Sequence, residues 1–435
     1  MGKAEKVAVV WLRRDLRLFD NAALYHALNS GSQVLIMFIF DKNILDKLQD
    51  KKDKRVDFIY RQLEKINSEL HQYNSSLLVY HNTPKKAFEE LLSNFDVQEV
   101  FTNRDYEPYA LERDREINDL LESKNIPFQT FKDQVIFERS EVMKPDGSPY
   151  TVFTPYSNKW KERLHQESIP EYPSESRLDH LLKRAKVALP SLENMGFEPS
   201  GFEVPDSDLS EGLIRNYEKT RNLPAVHGTS YASVHLRFGT VSIRRLVKQA
   251  LQQNEIWLNE LIWREFFMQI LYHFPEVVEH NFRRKYDRIQ WRNNEREFEL
   301  WCRGETGYPM VDAGMRQLNE TGWMHNRVRM ITAGFLTKHL LIDWRWGEAY
   351  FAEKLVDYEL SSNNGNWQWA AGTGCDSAPY FRIFNPETQL KKFDPKLEYV
   401  KTWIKDFRAG YLEPIVEHKF ARARALEAYK KALNN

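Results

Sequence analysis

The sequence is poor in the markers of ordinary enzyme chemistry. Only two cysteines, Cys302 and Cys375, stand among its 435 residues. They have no metal-ligand spacing, which excludes a disulfide scaffold and a thiolate zinc site and suits a reducing compartment. No metal is expected. No apolar run approaches the ~20 residues that span a bilayer. The short run in MGKAEKVAVVWLRR is followed by arginines and does not read as a signal peptide, so a soluble cytoplasmic protein without membrane contact is expected. Net charge is also missing: 62 basic residues face 62 acidic ones, so no global field gathers nucleic acid. GxSxG, HExxH, Walker A and paired CxxC motifs are absent. The first apolar run is followed by RRDLRLFDN, not by the glycines of a dinucleotide fingerprint.

What is present is unevenly distributed. Residues 1–130 carry 19 basic against 21 acidic residues, 131–204 carry 10 against 12, and 205–435 carry 33 against 29. The last region is mildly basic, densest at Arg283, Arg284, Lys285, Arg288 and Arg292. A solvated helical surface explains that on charge alone. Ten of the twelve tryptophans lie after residue 250. Any one of them serves as core filler, but ten among amides and arginines point to stacking on an aromatic ligand.

The apolar pattern predicts α/β followed by all-α organisation. VAVVWL, QVLIMFIF, SLLVYH and QEVFTN read as buried parallel strands, separated by amphipathic segments such as DKRVDFIYRQLEKINSELHQY, so residues 1–130 form a doubly wound sheet domain. Proline, serine and charge rise over 131–204, predicting a long connector. Residues 205–435 show helical spacing throughout.

Several stretches could carry chemistry. In WLNELIWREFF, Trp257, Glu260, Trp263, Arg264 and Phe267 share one helical face. That mixture suits a pocket wall for an aromatic polar ligand, or a half-exposed stripe with a local Glu–Arg contact. In GWMHNRVRMITAGFL, Asn326, Arg329, Met330 and Ala333 share a face. Arg329 would pair with a carboxylate or an anionic ring, and DYELSSNN supplies Asp357 and Glu359. In NNGNWQWAAGTGCD, a helix would place Asn363 and Trp367 together and turn Trp369 roughly 200° away, so the two indoles face different surroundings. In HGTSYAS, Gly228, Thr229, Ser230 and Ser233 could cradle a phosphate, or cap the following helix.

VVWLRRDLRLFDNAAL, WLNELIWREFF, TGYPMVDAGMRQLNETGWMHNRVRM and NNGNWQWAAGTGCDSAPYFRIFNP strongly resemble the photolyase/cryptochrome family. The likeness runs end to end, is densest from Tyr217 to Pro386, and is strongest to bacterial class I cyclobutane pyrimidine dimer photolyases. It implies an antenna domain (1–130), an interdomain linker (131–204) and a helical FAD-binding catalytic domain (205–435). The implied cofactor is FAD, active as the reduced anion. Tyr217, Thr229, Ser230, Tyr231, Ala232, Ser233, Trp257 and Arg264 would hold its phosphates and ribityl chain. Arg329, Asp357, Glu359, Asn326 and Asn363 would surround the ring, with Asn363 beside N5. The implied reaction lends an electron from the excited reduced flavin to a pyrimidine dimer flipped out of DNA, so the cofactor carries the chemistry and no base–nucleophile pair is needed.

Trp263, Trp369 and Met330 would form the lesion pocket, and Glu260 and Asn326 would hydrogen-bond the pyrimidines. Arg221, Arg327 and Arg382 would contact phosphates, together with Trp263 and Trp369 at the DNA. Trp367, Trp344 and Trp301 match an electron relay to the surface. Asn326 and Met330 stand where photolyases acting on six–four photoproducts carry histidines, which favours the cyclobutane dimer. The sequence departs from the family pattern at Tyr231–Ala232, where Arg–Leu is usual, and at Glu359, where Asp is common. In DYEPYALERD, Tyr109–Ala110 replace the Asn–Glu of folate binders. A second, antenna chromophore is thus left open: a deazaflavin, a folate, a flavin or none. A monomer is expected, and a cryptochrome-type light receptor without repair is the alternative function.

Overall fold

The structure, a computed structural model, describes residues 5–408 and 410–434. It divides into two compact units. The first comprises residues 5–138, 164–207 and 232–249; the second comprises 139–163, 208–231 and the rest from Ala250.

The first unit is built on a parallel sheet of β1 (Lys6–Leu12), β2 (Val34–Asp41), β3 (Leu78–Asn82), β4 (Asp96–Asn103) and β5 (Phe128–Phe131), in the order β3-β2-β1-β4-β5. β1 and β2 are buried almost throughout, as their unbroken apolar runs require when helices cover both faces. β5, FQTF, has no apolar run long enough to announce it, and exists because its backbone completes β4. The RRDLRLFDN segment after β1 is structural. Asn103 donates to Asp15 Oδ2 at 2.6 Å, Arg17 reaches Asp133 at 2.7 Å, and Arg244 reaches Asp133 at 2.8 Å and Asp20 at 3.1 Å. These groups are buried, so they persist only because each is ion-paired or, for Asp15, hydrogen-bonded.

The second unit is helical. Its core gathers Trp301, Trp344 and Trp367 with Phe335, Phe351 and Leu336. The Leu360–Ala371 helix is pinned from two sides. A Cβ at Gly365 would meet the Phe267 ring at 2.2 Å, and one at Gly347 would meet Trp367 at 2.1 Å. Only glycine lets the Glu255–His273 and Trp344–Lys354 helices approach so closely. At its C-terminus Lys338 Nζ and Tyr429 OH both donate to the Ala371 carbonyl, at 2.5 and 2.7 Å, satisfying an end the helix itself leaves open. Among the described residues, no helix is long and apolar enough to cross a membrane.

Candidate functional site

One cavity of the second unit is lined by two helices, by the Trp344–Lys354 helix, which adds Phe351, and by the segment after it, which begins with Leu355. Asn326, Arg329, Met330 and Ala333 come from the Asn326–Gly334 helix. Ser362, Asn363, Asn366, Trp367, Trp369 and Ala370 come from the Leu360–Ala371 helix, and Asp357, Tyr358 and Glu359 lead into it. His325 starts the first of these helices: its Nδ1 accepts the Arg327 N–H at 3.1 Å. Its Nε2 therefore carries the hydrogen, and this atom is buried without a partner among the described residues. Burial, with Arg327, Arg329 and Arg221 nearby, pushes the imidazole down to about 4, so it stays neutral at physiological pH.

Two ion pairs frame the cavity. Arg329 donates to Asp357 Oδ2 at 2.8 Å and to the Met324 carbonyl at 2.7 Å. Arg264 reaches Glu359 at 3.1 Å, and Ser362 donates to the other oxygen of Glu359 at 2.9 Å. Asp357 Oδ1 is buried and has no partner among the described residues. An orphaned carboxylate oxygen on a cavity wall is costly unless something donates to it. A ligand with a ring N–H would do so, and Arg329 beside it favours an anionic ring.

Asn363 is oriented unambiguously. Its Nδ2 donates to the Glu348 carbonyl at 3.1 Å and to the Glu348 carboxylate at 2.8 Å, so its Oδ1 remains as an acceptor. Burial pushes the Glu348 carboxyl up, and the Asn363 hydrogen bond partly offsets this. Glu348 was not singled out from sequence; it lies fifteen residues away on a neighbouring helix, and nothing local marks it.

The remaining expected residues lie at varied positions. Trp257 is buried near the start of its helix, which Asn254 caps through the Trp257 N–H at 3.1 Å. Trp263 and Glu260 are not among the residues lining the cavity. Trp263 stacks face to face on Phe153, with centroids 3.7 Å apart. Glu260 is paired with Arg221 at 2.6 Å; burial raises its carboxyl above the ordinary range and Arg221 opposes this. Arg221 also lies over the Tyr217 ring at 5.3 Å. Thr229, Ser230 and Tyr231 form the loop leading into the Ala232–Phe238 helix, with Ser230 buried, Ser233 exposed and Tyr231 in the left-handed region at φ 52°. A tyrosine pays steric strain there, and its ring lies 4.6 Å from Trp323.

The three arginines expected at phosphates form an electropositive group. Arg327 is lowered by burial and by the charges of Arg221 and Arg382. Asn222 holds Arg327 at 2.6 Å. Phe381, next to Arg382, is 59% exposed; it was not singled out from sequence because an exposed phenylalanine has no pattern there.

The three tryptophans expected as an electron relay, Trp367, Trp344 and Trp301, are all buried. Trp367 and Trp344 are buried, as an internal relay requires, and Trp344 Nε1 donates to Asn281 at 2.9 Å. Trp301, the third of the expected set, is 0% exposed and packs edge-on to Trp367 at 6.1 Å. An indole with no exposed surface cannot meet an external donor. Trp291 is half-buried and packs against the same core cluster as Trp344. The segment that follows it is tied to the turn before Trp344 by Arg292 N–H to Leu341 O at 2.8 Å and Asp343 N–H to Asn293 Oδ1 at 2.9 Å.

Comparison with known proteins gives a consistent result. Residues 8–174 match the family model described as DNA photolyase, and residues 257–410 match that of the FAD binding domain of DNA photolyase. The deoxyribodipyrimidine photo-lyase of Escherichia coli K12 is 38% identical over 468 residues, covering 98% of each chain. The crystal structure of a bacterial class III photolyase from Agrobacterium tumefaciens superposes with a TM-score of 0.86 at 32% identity, covering 100% of this chain and 99% of that one. An archaeal photolyase from Sulfolobus tokodaii, solved with two FAD molecules, gives 0.80 at 33% identity over 98% of this chain and 100% of that one.

Proposed function

The chain belongs to the DNA photolyase family, and from that premise we propose that it is a light-driven carbon–carbon lyase that splits cyclobutane pyrimidine dimers in DNA. The observation that carries the reading is the single cavity whose wall combines Arg329, Asp357 and Asn363, the set expected at a flavin ring, with Asn326, Met330 and Trp369, the set expected at a lesion. The orphaned Asp357 oxygen and the acceptor left on Asn363 fit a reduced flavin, which offers ring N–H donors. When bound, reduced FAD supplies the photochemistry, lending an electron to the dimer and receiving it back once the ring has opened.

The protein's own groups bind, orient and exclude. Arg329 provides the positive charge that favours an anionic ring, and Asp357 fixes the guanidinium. Tyr217, Thr229, Ser230, Tyr231, Ala232, Ser233, Trp257 and Arg264 hold the phosphate and ribityl portion, and Glu359, paired with Arg264, stands with the ring set. Trp263 and Trp369 wall the lesion site, Met330 packs on the lesion, and Glu260 and Asn326 hydrogen-bond its pyrimidines. Arg221, Arg327 and Arg382 contact backbone phosphates, which position without reading sequence. Phe381 fills the space left by the flipped dimer. Trp367, Trp344 and then Trp291 form the reducing relay, with Trp301 a side branch.

We assign residues 1–130 as the antenna domain, 131–204 as linker and 205–435 as the FAD-binding catalytic domain of a cytoplasmic monomer. Release of the chromophores by denaturation identifies the antenna group as a deazaflavin, folate, second flavin or none. The test of the function is direct. Reduced protein is illuminated with blue light in the presence of an oligonucleotide holding one thymine dimer. Light-dependent loss of the dimer supports the reading; its absence, with FAD bound and reduced, overturns it.

A further inference from the structure

A second cleft in the helical unit has no part in the reaction described above. It lies between the Arg284–Arg288 turn and the His418–Asn434 helix and has a volume of about 420 Å³. Arg288, Arg424 and Lys431 line it, opposed by one carboxylate, Glu427, on a floor of Ala428 and Ala432. Among the described residues neither Arg288 nor Lys431 has a carboxylate partner. Arg424 donates through Nη2 to the His339 carbonyl at 2.5 Å, while its Nε is buried and unpartnered among the described residues. Arg292 lies near Arg424, but its charge is offset by Glu297, paired with it at 2.7 Å. Three cations lining a concave site of this size, against one carboxylate, describe a receptor for a small polyanion, because guanidinium groups match phosphate oxygens in geometry and charge.

Its location gives the site a use. The chain runs directly from Arg288 through Gln290, on the cleft wall, to Trp291. The Trp291 ring lies edge-on to Tyr429 at 6.0 Å, and Tyr429 stands between the two floor alanines, in one apolar cluster with Ala432 and with Trp291 and Ala428 packed against it. The geometry points to a docking site for a phosphate-bearing electron donor beside the outer tryptophan of the relay. This rests on the relay reading of Trp291 given above. The donor gives one electron to the Trp291 radical left by photoreduction and departs in its one-electron oxidised form. Tryptophan is restored, and recovers a proton from solvent if its indole N–H had lost one.

The test uses the full-length holoprotein and NADPH as probe. In the dark, NADPH is titrated against the oxidised protein by calorimetry at low ionic strength, with pyrophosphate as competitor. Saturable one-to-one binding is expected. Pyrophosphate should displace it, and Arg288→Glu/Lys431→Glu should weaken it about tenfold or more. Under blue light, the rate of flavin reduction should saturate with NADPH in the wild type and lose that saturation in the double variant. The rate with uncharged dithiothreitol should stay unchanged in both. Binding that is absent, or equal in the double variant, overturns the proposal, as does a photoreduction rate strictly linear in NADPH. Trp291→Phe separates the premises. If it leaves the dithiothreitol rate unchanged, the relay reading fails, whereas the binding arm reports on the cleft independently.

Discussion

Replacing Arg329 with methionine probes the charge arrangement of the cavity. The side chain of Asp357, held at 2.8 Å, is only 3% exposed, and that of Arg329 is 25% exposed. Methionine keeps much of the volume and removes the cation, leaving a buried carboxylate without a counter-ion. Breaking one side of a buried pair costs ~3–5 kcal/mol; with the guanidinium one quarter exposed, ~2–3 kcal/mol is the expected loss. Urea denaturation of the apoprotein measures it. The same change acts on bound FAD with a definite sign. Removing a positive charge and baring a negative one both disfavour the anionic reduced ring, so the midpoint potential should fall. A shift of ~30 mV accompanies each 1.4 kcal/mol for a two-electron couple, so tens of millivolts are expected at an intermediate dielectric. Asp357→Asn removes the negative charge instead and should raise the potential. Spectroelectrochemical titration of both variants decides the matter. Shifts of the same sign, or no shift for Arg329→Met, refute the reasoning.

Other expectations follow from packing and charge. Gly347→Ala brings a methyl within 2.1 Å of Trp367 and 2.5 Å of Leu336; overpacking at the upper part of the ~1–3 kcal/mol range, against ~1 kcal/mol gained in helix propensity, should give net destabilisation of up to ~2 kcal/mol in urea. Unaltered stability would show that the helices separate freely. Because burial raises the Glu260 carboxyl above its ordinary 4.5, the folded state holds that proton more tightly than the unfolded chain, and the stability it contributes declines as pH rises from 4.5 through the raised value. Glu260→Gln removes that decline, so its stability relative to wild type should improve with pH over that interval; a pH-independent difference in urea titrations contradicts the assignment. Trp367→Phe should slow photoreduction and spare repair by already reduced enzyme, whereas Trp369→Ala should weaken lesion binding. One shared phenotype, in photoreduction and dimer-binding assays, would dissolve that division.

What could be foreseen depended on whether information was local. The parting of Trp367 and Trp369 follows from helical geometry within six residues of Asn363, and the helix is present over Leu360–Ala371. The apolar runs of β1 to β4 declared themselves, whereas β5 borrows its order from β4 and has no pattern of its own. Pairings across long separations were invisible to periodicity. The hold of Glu348 on Asn363, the stacking of Phe153 on Trp263 and the ion pair joining Arg221 to Glu260 all depend on how helices pack. The full burial of Trp301 was hidden for the same reason, since burial is a property of the assembled core and not of the segment EREFELWCR.

The two glycine contacts that pin the Leu360–Ala371 helix also bear on how such a sequence can drift. Gly347 and Trp367 occupy one volume between them, as do Gly365 and Phe267. Neither glycine can gain a side chain unless its aromatic neighbour shrinks in the same lineage, and effects of the paired changes will not sum. The positions packed around this helix are therefore inherited as couples: a substitution tolerated in one descendant will be harmful when moved singly into another.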